Sequence, residues 1–240
     1  MEQKDPNSGL STNFKTTYSL MLFVRYSAII FDCDGVLADS EPLSCRAWNV
    51  VFEREFSVDI GTDYTAILGK STKDTIQHYV NRHNLKINSE NYDQLAKWKE
   101  EAYIDLATDN LHPIQGVKSF LDSIQTRGIT IAVASSGIFS KIQFNLHQCG
   151  LDAYFSELIS GTDVAHGKPA PDIFLLAAER LNIPISQCVV IEDSVLGVEA
   201  GKASGAFTIA LTSTFSREPL SKADLIVDSY EQIDLNALFP

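Results

Sequence analysis

The most regular feature of the chain is a series of short apolar segments that are rich in β-branched residues. Four of them stand out: SAIIFD at residues 27–32, ITIAVASS at 129–136, CVVIED at 188–193 and AFTIALT at 206–212. Their apolar residues run almost without interruption, which is typical of strands that are buried on both faces. The pattern therefore predicts a parallel β-sheet with helices packed on both sides.

Helical periodicity fills the intervals between these strands. Residues 116–128 carry apolar side chains at the spacing of one helix face and end at a glycine, a common helix terminator. Residues 171–182 begin with a proline at a first-turn position and repeat apolar residues in the same way. Strands that alternate with helices predict an α/β fold with a doubly wound, Rossmann-like and mostly parallel sheet. Ligands of such folds bind beyond the carboxyl ends of the strands.

Residues 40–112 interrupt the alternation, because their pattern is helical throughout and includes no buried strand. We interpret them as an all-helical cap domain inserted after the first strand. The α/β core then comprises residues 27–39 and 113–240, and the proline and glycine of LHPIQG mark the return from the cap. Residues 1–26 are predicted to form a poorly ordered tail.

Composition and charge narrow the class of protein. The chain carries 31 acidic and 19 basic side chains, a net charge of −12 that opposes binding to nucleic acid or to anionic membrane surfaces. No apolar run approaches the roughly 20 residues that span a bilayer. The cysteines are scattered and lack metal-ligand spacing, which indicates a reducing compartment. These features predict a cytoplasmic protein, a monomer or weak homodimer, that binds neither nucleic acid nor a membrane.

Polar side chains follow three of the predicted strands directly. Because parallel strands present their carboxyl ends at one edge of the sheet, we expect these side chains to converge there. Carboxylates in one pocket would repel one another and raise one another's pKa values unless a cation lay between them. Oxygen ligands favour a hard ion such as Mg²⁺. The converging residues are Asp32, Asp34, Ser135, Ser136, Glu192 and Asp193.

Two of these aspartates are predicted to have different chemical roles. Asp32, at the end of its strand, is suited to act as a nucleophile that forms a covalent intermediate. Asp34 stands two residues later, in a turn that Gly35 permits, and can act as a general acid for a leaving oxygen and then as a base for water. A pair of aspartates that only caps a turn or a helix is the alternative explanation for D-x-D-G alone.

Lys168, in the segment GKPAPDIF, points to phosphate chemistry. Pro169 disfavours a helical conformation at this lysine, and a helix begins soon afterwards, so the ammonium can project towards an anion at the sheet edge. The hydroxyl of Ser135 and the adjacent amides, including that of Ser136, can hydrogen-bond phosphate oxygens at a helix start. A nucleophile, a metal and fixed donors are what phosphoryl transfer requires.

Four motifs in this order resemble those of the haloacid dehalogenase superfamily, specifically its β-phosphoglucomutase-like branch with a helical cap. The motifs are DCDGVLADS at 32–40, VASSG at 133–137, GKPAPDIF at 167–174 and IEDSVLGVEAGKASG at 191–205. The resemblance implies that Asp32 is the nucleophile and a metal ligand, and that Asp34 is the acid/base and binds the metal through its carbonyl group. It implies further roles for four other residues: phosphoryl binding for Ser135 and Lys168, Mg²⁺ ligation for Asp193 and support of the metal for Glu192.

The cap is expected to select the substrate, and in the cap the resemblance is partial. The β-phosphoglucomutases have a histidine in the first cap helix and an arginine in the cap loop, where this chain has Ser44 and Thr72. The substrate-contact candidates in the cap are Gly69, Lys70 and Lys99. A lysine lacks the bidentate fork with which arginine grips a phosphate, so the mutase activity is disfavoured.

Together these features predict a Mg²⁺-dependent phosphatase that hydrolyses a small phosphorylated metabolite through an aspartyl-phosphate intermediate. A sugar phosphate is the expected substrate class. A phosphosugar mutase is the first alternative, since the same intermediate would serve it. A non-catalytic protein that binds a phosphorylated metabolite is the second, although buried charges without a function are costly.

Overall fold

The structure is a computed structural model that describes residues 26–240, except residues 63, 65, 68 and 69. Its centre is a six-stranded sheet in which each neighbouring pair of strands is parallel. The strands are β1 (Ala28–Phe31), β2 (Thr130–Ser135), β3 (Leu158–Ser160), β4 (Cys188–Glu192), β5 (Phe207–Leu211) and β6 (Leu225–Val227). The predicted α/β fold with a doubly wound parallel sheet is confirmed.

The strand order β3-β2-β1-β4-β5-β6 creates a switch point beside β1. From β1 the chain moves outwards to β2 and β3, and then returns to the other side of β1 to form β4, β5 and β6. Every residue of β1 and β4 is buried, in agreement with their nearly continuous apolar sequence. Ligands of open α/β sheets bind at such a switch point, outside the carboxyl ends of the strands.

Eight α-helices lie within the described residues. They are α1 (Glu41–Phe56), α2 (Thr72–Arg82), α3 (Tyr92–Ala107), α4 (Val117–Arg127), α5 (Phe139–Gln148), α6 (Asp172–Leu181), α7 (Val195–Ser204) and α8 (Leu235–Leu238). The helices predicted at 116–128 and 171–182 correspond to α4 and α6. Helix α4 ends at Gly128, which adopts the left-handed conformation that glycine accepts without strain.

The two outer strands, β3 and β6, are absent from the sequence prediction. Each has only three residues, and each lies at an edge of the sheet. A run of two or three apolar residues is too short to distinguish from a loop by periodicity. The four predicted strands are the longer, central ones.

Buried apolar side chains form separate clusters on the sheet and among the first three helices. One face of the sheet includes Ile29 and Phe31 in its cluster, whereas the other includes Ile30. Helices α1 to α3 form a third cluster, and α3 joins two clusters because Leu95 lies in the third and Tyr103 in the first. Among the described residues from 41 to 112 there is no β-strand. The division into a core of residues 27–39 and 113–240 and a cap of residues 40–112 stays a prediction.

The start of the described chain packs onto the sheet. Tyr26 contacts the rings of Phe207 and Phe239, with centroid distances of 5.3 and 6.5 Å. The rest of the predicted tail, residues 1–25, lies outside the described residues. No helix in the part of the chain that the structure describes is both long enough and apolar enough to cross a membrane.

Candidate active site

The carboxyl ends of the central strands open into a cavity of about 550 Å³. Helices α1 and α3 and the segment between α1 and α2 contribute to its opposite wall. Eight of the residues predicted from the sequence line it together: Asp32, Asp34, Lys70, Lys99, Ser135, Ser136, Lys168 and Asp193. The cavity therefore brings the predicted chemical groups and two of the predicted cap residues to one place.

A cluster of three buried carboxylates lies at the ends of β1 and β4. Asp32 directly follows β1, Glu192 ends β4 and Asp193 follows it, and a ligand oxygen from each lies within 4.8 Å of the others. The backbone amide of Asp32 donates to the carbonyl of Ile191 at 3.0 Å, so the pairing of the two strands continues up to the cluster. This geometry follows from the switch point, where the two strands are neighbours.

Lys168 reaches into this cluster from the segment before α6. Its ammonium donates to Asp32 and to Glu192, each at 2.5 Å, and to the carbonyl oxygen of Ala134 at 3.3 Å. When all three carboxylates are ionised, one ammonium leaves a net charge of two negative units, which one divalent cation would balance. The oxygen-only donor set fits a hard ion such as Mg²⁺.

The pKa values of the two aspartates reflect their burial first and the excess of negative charge second. Burial raises the pKa of Asp32 to about 7, even though Lys168 acts to lower it. Burial and the charges of Glu192 and Asp32 raise the pKa of Asp193 well above its ordinary value. Burial would lower the pKa of Lys168, but its two carboxylate partners raise it instead. A cation bound among these carboxylates would favour their ionised forms.

Two glycines make room for the carboxylates. Gly35 has a φ of 74°, and a β-carbon there would overlap the carboxylate of Asp193. A β-carbon at Gly197, in the first turn of α7, would overlap the carboxylate of Glu192 in the same way. That carboxylate accepts hydrogen bonds from the amide of Asp193 at 3.0 Å and from the amide of Ser194 at 3.1 Å. Glu192 is thus fixed by the backbone.

The predicted phosphate loop follows β2 and is held in shape by Gly161, the residue after β3. The hydroxyl of Ser135 accepts a hydrogen bond from the amide of Gly137 at 3.2 Å. The amide of Gly161 donates to the carbonyl of Gly137 at 3.0 Å, and a β-carbon at Gly161 would overlap the backbone of Ser136. Ser135 is buried and Ser136 is exposed on the cavity wall. The loop therefore packs against Gly161 on one side, and Ser135 and Ser136 line the cavity on the other.

Asp34 lies apart from the carboxylate cluster and has its own set of partners. Its carboxylate accepts hydrogen bonds from Ser40, from the ammonium of Lys141 at 3.0 Å and from the side-chain amide of Asn145 at 3.1 Å. Burial would raise the pKa of Asp34, but Lys141 and Ser40 lower it below its ordinary value. The two aspartates of the D-x-D-G motif thus occupy different electrostatic environments.

Sequence reasoning did not identify Lys141 or Asn145. Both lie on α5, one helical turn apart, in a segment that matches none of the four motifs. The sequence did contain one indication of this site, because Asn145 is a polar residue on the helix face that buries Ile142 and Leu146. A fully buried asparagine needs hydrogen-bond partners, which here include Asp34 and the hydroxyl of Tyr103.

The predicted cap residues differ in their surroundings. Lys99 is buried on α3, pairs with Glu100 at 3.1 Å and lies 5.9 Å from the ring centroid of Trp48. Burial and the charge of Lys141 lower the pKa of Lys99. Lys70 is exposed and lines the cavity, and Gly69 lies outside the described residues. Ser44 and Thr72, at the positions where the resemblance implies a histidine and an arginine in β-phosphoglucomutases, also line the cavity.

Known proteins resemble this chain in sequence and in fold. A phosphorylated carbohydrates phosphatase from Thermotoga maritima is 32% identical over 74% of this chain and 81% of its own length. The chloroplastic protein SUPPRESSOR OF QUENCHING 1 from Arabidopsis thaliana is 34% identical over 88% of this chain, which spans only 20% of that protein. The crystal structure of a β-phosphoglucomutase from Clostridium difficile has a TM-score of 0.76 and 27% identity, with 88% of this chain and 94% of that chain covered.

The family is established by a further comparison that covers most of the chain. The model of the haloacid dehalogenase-like hydrolases matches residues 26–205, a range that includes all four motifs and the residues of the carboxylate cluster. The resemblance predicted from the motifs is confirmed. The chain therefore belongs to the haloacid dehalogenase-like hydrolase family and is an enzyme of that family.

Proposed function

We propose that this enzyme is a Mg²⁺-dependent phosphatase that releases phosphate from a small phosphorylated metabolite through an aspartyl-phosphate intermediate. The observation that carries the proposal is the contact of Lys168 with Asp32 and Glu192 in a cavity that also holds the loop of Ser135. A nucleophile, a cation for the phosphoryl group and hydrogen-bond donors then face one bound phosphate. Phosphoryl transfer depends mainly on such positioning and charge stabilisation.

In the first step, an oxygen of Asp32 attacks the phosphorus atom and forms a new phosphorus–oxygen bond. The ester bond breaks, its electron pair stays on the leaving oxygen, and that oxygen takes a proton from Asp34. The pKa of Asp34 is lowered in the free protein, so this step requires that the bound anionic substrate raise it and keep Asp34 protonated. In the second step, water attacks the phosphorus atom and gives a proton to Asp34, while the bond to Asp32 breaks. Inorganic phosphate leaves, and both aspartates return to their starting states.

Three residues of the carboxylate cluster would hold the metal, namely Asp32 and Asp193 directly with Glu192 in support. The backbone carbonyl of Asp34 is the further ligand implied by the family resemblance. Bound there, Mg²⁺ would offset the excess negative charge and stabilise the charge on the phosphoryl oxygens. Lys168 and the loop of Ser135 and Ser136 would bind the remaining phosphoryl oxygens.

A sugar phosphate is the substrate class that we propose. One relative is a phosphorylated carbohydrates phosphatase, and the cavity of about 550 Å³ has room for a small polar ligand beyond the phosphoryl group. The walls from the helical segment present Lys70 and Lys99, which can hydrogen-bond hydroxyl or anionic groups. The cytoplasmic location and the monomeric or weakly dimeric state stay predictions from the sequence.

Replacement of the nucleophile tests the mechanism. With Mg²⁺ and p-nitrophenyl phosphate, Asp32→Asn should lower kcat/KM by at least about 10³-fold, because loss of a covalent nucleophile removes the main reaction path. Acid-quenched wild-type enzyme should carry phosphate bound to an aspartate, and the variant should not. The matched control is Asp122→Asn, since Asp122 is exposed and lies outside the cavity lining. Turnover by Asp32→Asn at the wild-type rate would disprove the mechanism.

A panel of sugar phosphates separates the alternatives. A phosphatase should release inorganic phosphate from at least one of them in the presence of Mg²⁺. The β-phosphoglucomutase neighbour makes a mutase the second candidate, and conversion of β-glucose 1-phosphate to glucose 6-phosphate without free phosphate would favour it. Absence of turnover for every ester would instead favour a non-catalytic binding protein.

A further inference from the structure

We propose that Lys141 and Asn145 are positioning residues for Asp34, and that they fix the orientation of its carboxylate for proton exchange with the substrate. The inference rests on the proposed acid/base role of Asp34. It concerns α5, which the four motifs do not include. Neither residue needs to touch the reacting atoms, because both act through Asp34.

The contacts of Asp34 leave it little freedom of rotation. The Asn145 amide and the Ser40 hydroxyl both donate to Oδ1, and the Lys141 ammonium lies 3.0 Å from the carboxylate. A carboxylate has about four lone-pair directions, and three donors occupy three of them. The remaining direction is available for the proton that Asp34 exchanges in the cavity that it lines.

The two donors of α5 are themselves fixed. Lys141 and Asn145 are four residues apart, so their side chains emerge from the same face of the helix. Asn145 is fully buried and accepts a hydrogen bond from the Tyr103 hydroxyl at 2.8 Å. The Lys141 ammonium lies 5.1 Å from the ring centroid of Tyr103, within the range of a cation–π contact. Tyr103 thus orients both donors from helix α3.

The position of this group of residues relates it to the predicted phosphate loop. A β-carbon at Gly137 would lie 3.5 Å from the Ser135 hydroxyl, 3.6 Å from the Lys141 side chain and 3.9 Å from Asp34 Oδ2. The carboxylate that Lys141 holds is therefore close to the loop that would bind the phosphoryl group. A leaving oxygen attached to that phosphoryl group would lie in the same cavity that Asp34 lines.

General acid catalysis predicts a specific signature for this role. A poor leaving group needs a proton in the transition state, whereas a good leaving group departs without one. The test therefore measures kcat/KM for phenyl phosphate and for 2,4-dinitrophenyl phosphate, two aryl esters that differ mainly in leaving-group basicity. For this mechanism kcat/KM reports only the steps up to departure of the first product, so hydrolysis of the intermediate does not obscure the comparison.

The variant to compare with wild type is Lys141→Met, which keeps the length of the side chain and removes the donor. We expect kcat/KM to fall about 10²-fold for phenyl phosphate and less than about threefold for the dinitrophenyl ester. The matched control is Lys222→Met, which breaks a surface ion pair with Glu199 and should change neither value. Should Lys141→Met not fold, as judged by circular dichroism and thermal unfolding, Lys141→Gln replaces it under the same criterion.

The outcomes separate this inference from the proposed function. An equal fall for both esters, or no fall for either, would overturn the positioning role of Lys141 while the phosphatase function stands. The comparison of the two esters requires that the wild-type enzyme hydrolyse both of them. Asp32→Asn then shows whether that hydrolysis uses the proposed nucleophile. If Asp32→Asn hydrolyses the dinitrophenyl ester as fast as wild type, the proposed function fails first.

Discussion

The cavity at the carboxyl ends of the strands contains two lysine–aspartate pairs whose electrostatic surroundings differ. Lys168 is in contact with Asp32 inside a cluster of three carboxylates, and the pKa of Asp32 is raised. Lys141 is in contact with Asp34 among uncharged donors, and the pKa of Asp34 is lowered. Each lysine lowers the pKa of its aspartate, but burial and the charges of Glu192 and Asp34 outweigh Lys168 at Asp32. At Asp34, Lys141 and the Ser40 hydroxyl together outweigh burial.

This difference separates two tasks within a few residues of chain. The Asp32 region has an excess of negative charge and is suited to a cation and a phosphoryl group. In the Asp34 region the negative charge of the carboxylate is nearly balanced by Lys141, and the hydrogen-bond donors are suited to hold that carboxylate in a fixed orientation. Predictions that perturb one region and leave the other intact test this separation.

The largest effect is expected from Lys168→Met. The substitution removes the ammonium that would stabilise phosphoryl oxygens and leaves Asp32 and Glu192 without their cationic partner. We expect kcat/KM to fall by roughly 10³-fold for good and poor leaving groups alike, in contrast to Lys141→Met. The measurement is steady-state hydrolysis of the two aryl phosphates.

The control for that experiment is Lys202→Met, which removes a lysine from a surface pair with Asp224. Its activity should equal that of wild type, since exposed ion pairs contribute little. The separation of tasks would be refuted if the fall in kcat/KM caused by Lys168→Met depended on the leaving group as strongly as the fall caused by Lys141→Met.

The second effect is stabilisation by Mg²⁺. A ligand that binds only the folded state at one hundred times its dissociation constant adds about 2.7 kcal/mol to the free energy of unfolding. We expect Mg²⁺ to raise the melting temperature of the wild-type enzyme in a thermal unfolding experiment. Asp193→Asn should abolish most of this rise, whereas Asp34→Asn should keep it, because the carboxylate of Asp34 lies outside the cluster. A loss of similar size in both variants would contradict the proposal.

The smallest effect concerns the support of Asn145 by helix α3. Tyr103→Phe removes the hydroxyl that donates to Asn145 and leaves a buried acceptor without that partner, at a cost of about 1–3 kcal/mol in the free energy of unfolding. Urea denaturation measures the change. The same substitution at Tyr154, whose hydroxyl donates to the exposed Asp122, should cost less than about 0.5 kcal/mol. Equal costs at both positions would show that burial of the Asn145 network contributes nothing.

The sequence contained enough information to predict the sheet and the Asp32 region. The central strands are long, apolar runs, and the residues that follow them must meet because parallel strands end at one edge. Lys168 was predictable because Pro169 and the helix start after it limit its direction. Each of these signals is local in sequence.

The Asp34 region was predicted only in part, because its partners are distant in sequence. Asp34 and Lys141 are 107 residues apart, and Asn145 follows on the next turn of an ordinary amphipathic helix. Periodicity reports which helix face is buried but not what lies opposite that face. The roles of the cap residues were equally hard to predict, since the packing of α1, α2 and α3 decides which lysines face the cavity.

Helix α3 has a mechanical consequence. Its first half packs with α1 and α2 through Leu95, and its second half packs on the sheet through Tyr103 and Ala107. Because α3 is one continuous helix, the first three helices can move away from the strands only if α3 bends or Tyr103 loses its packing contacts. An opening of the cavity by such a movement would then strain or break the hydrogen bond from the Tyr103 hydroxyl to Asn145.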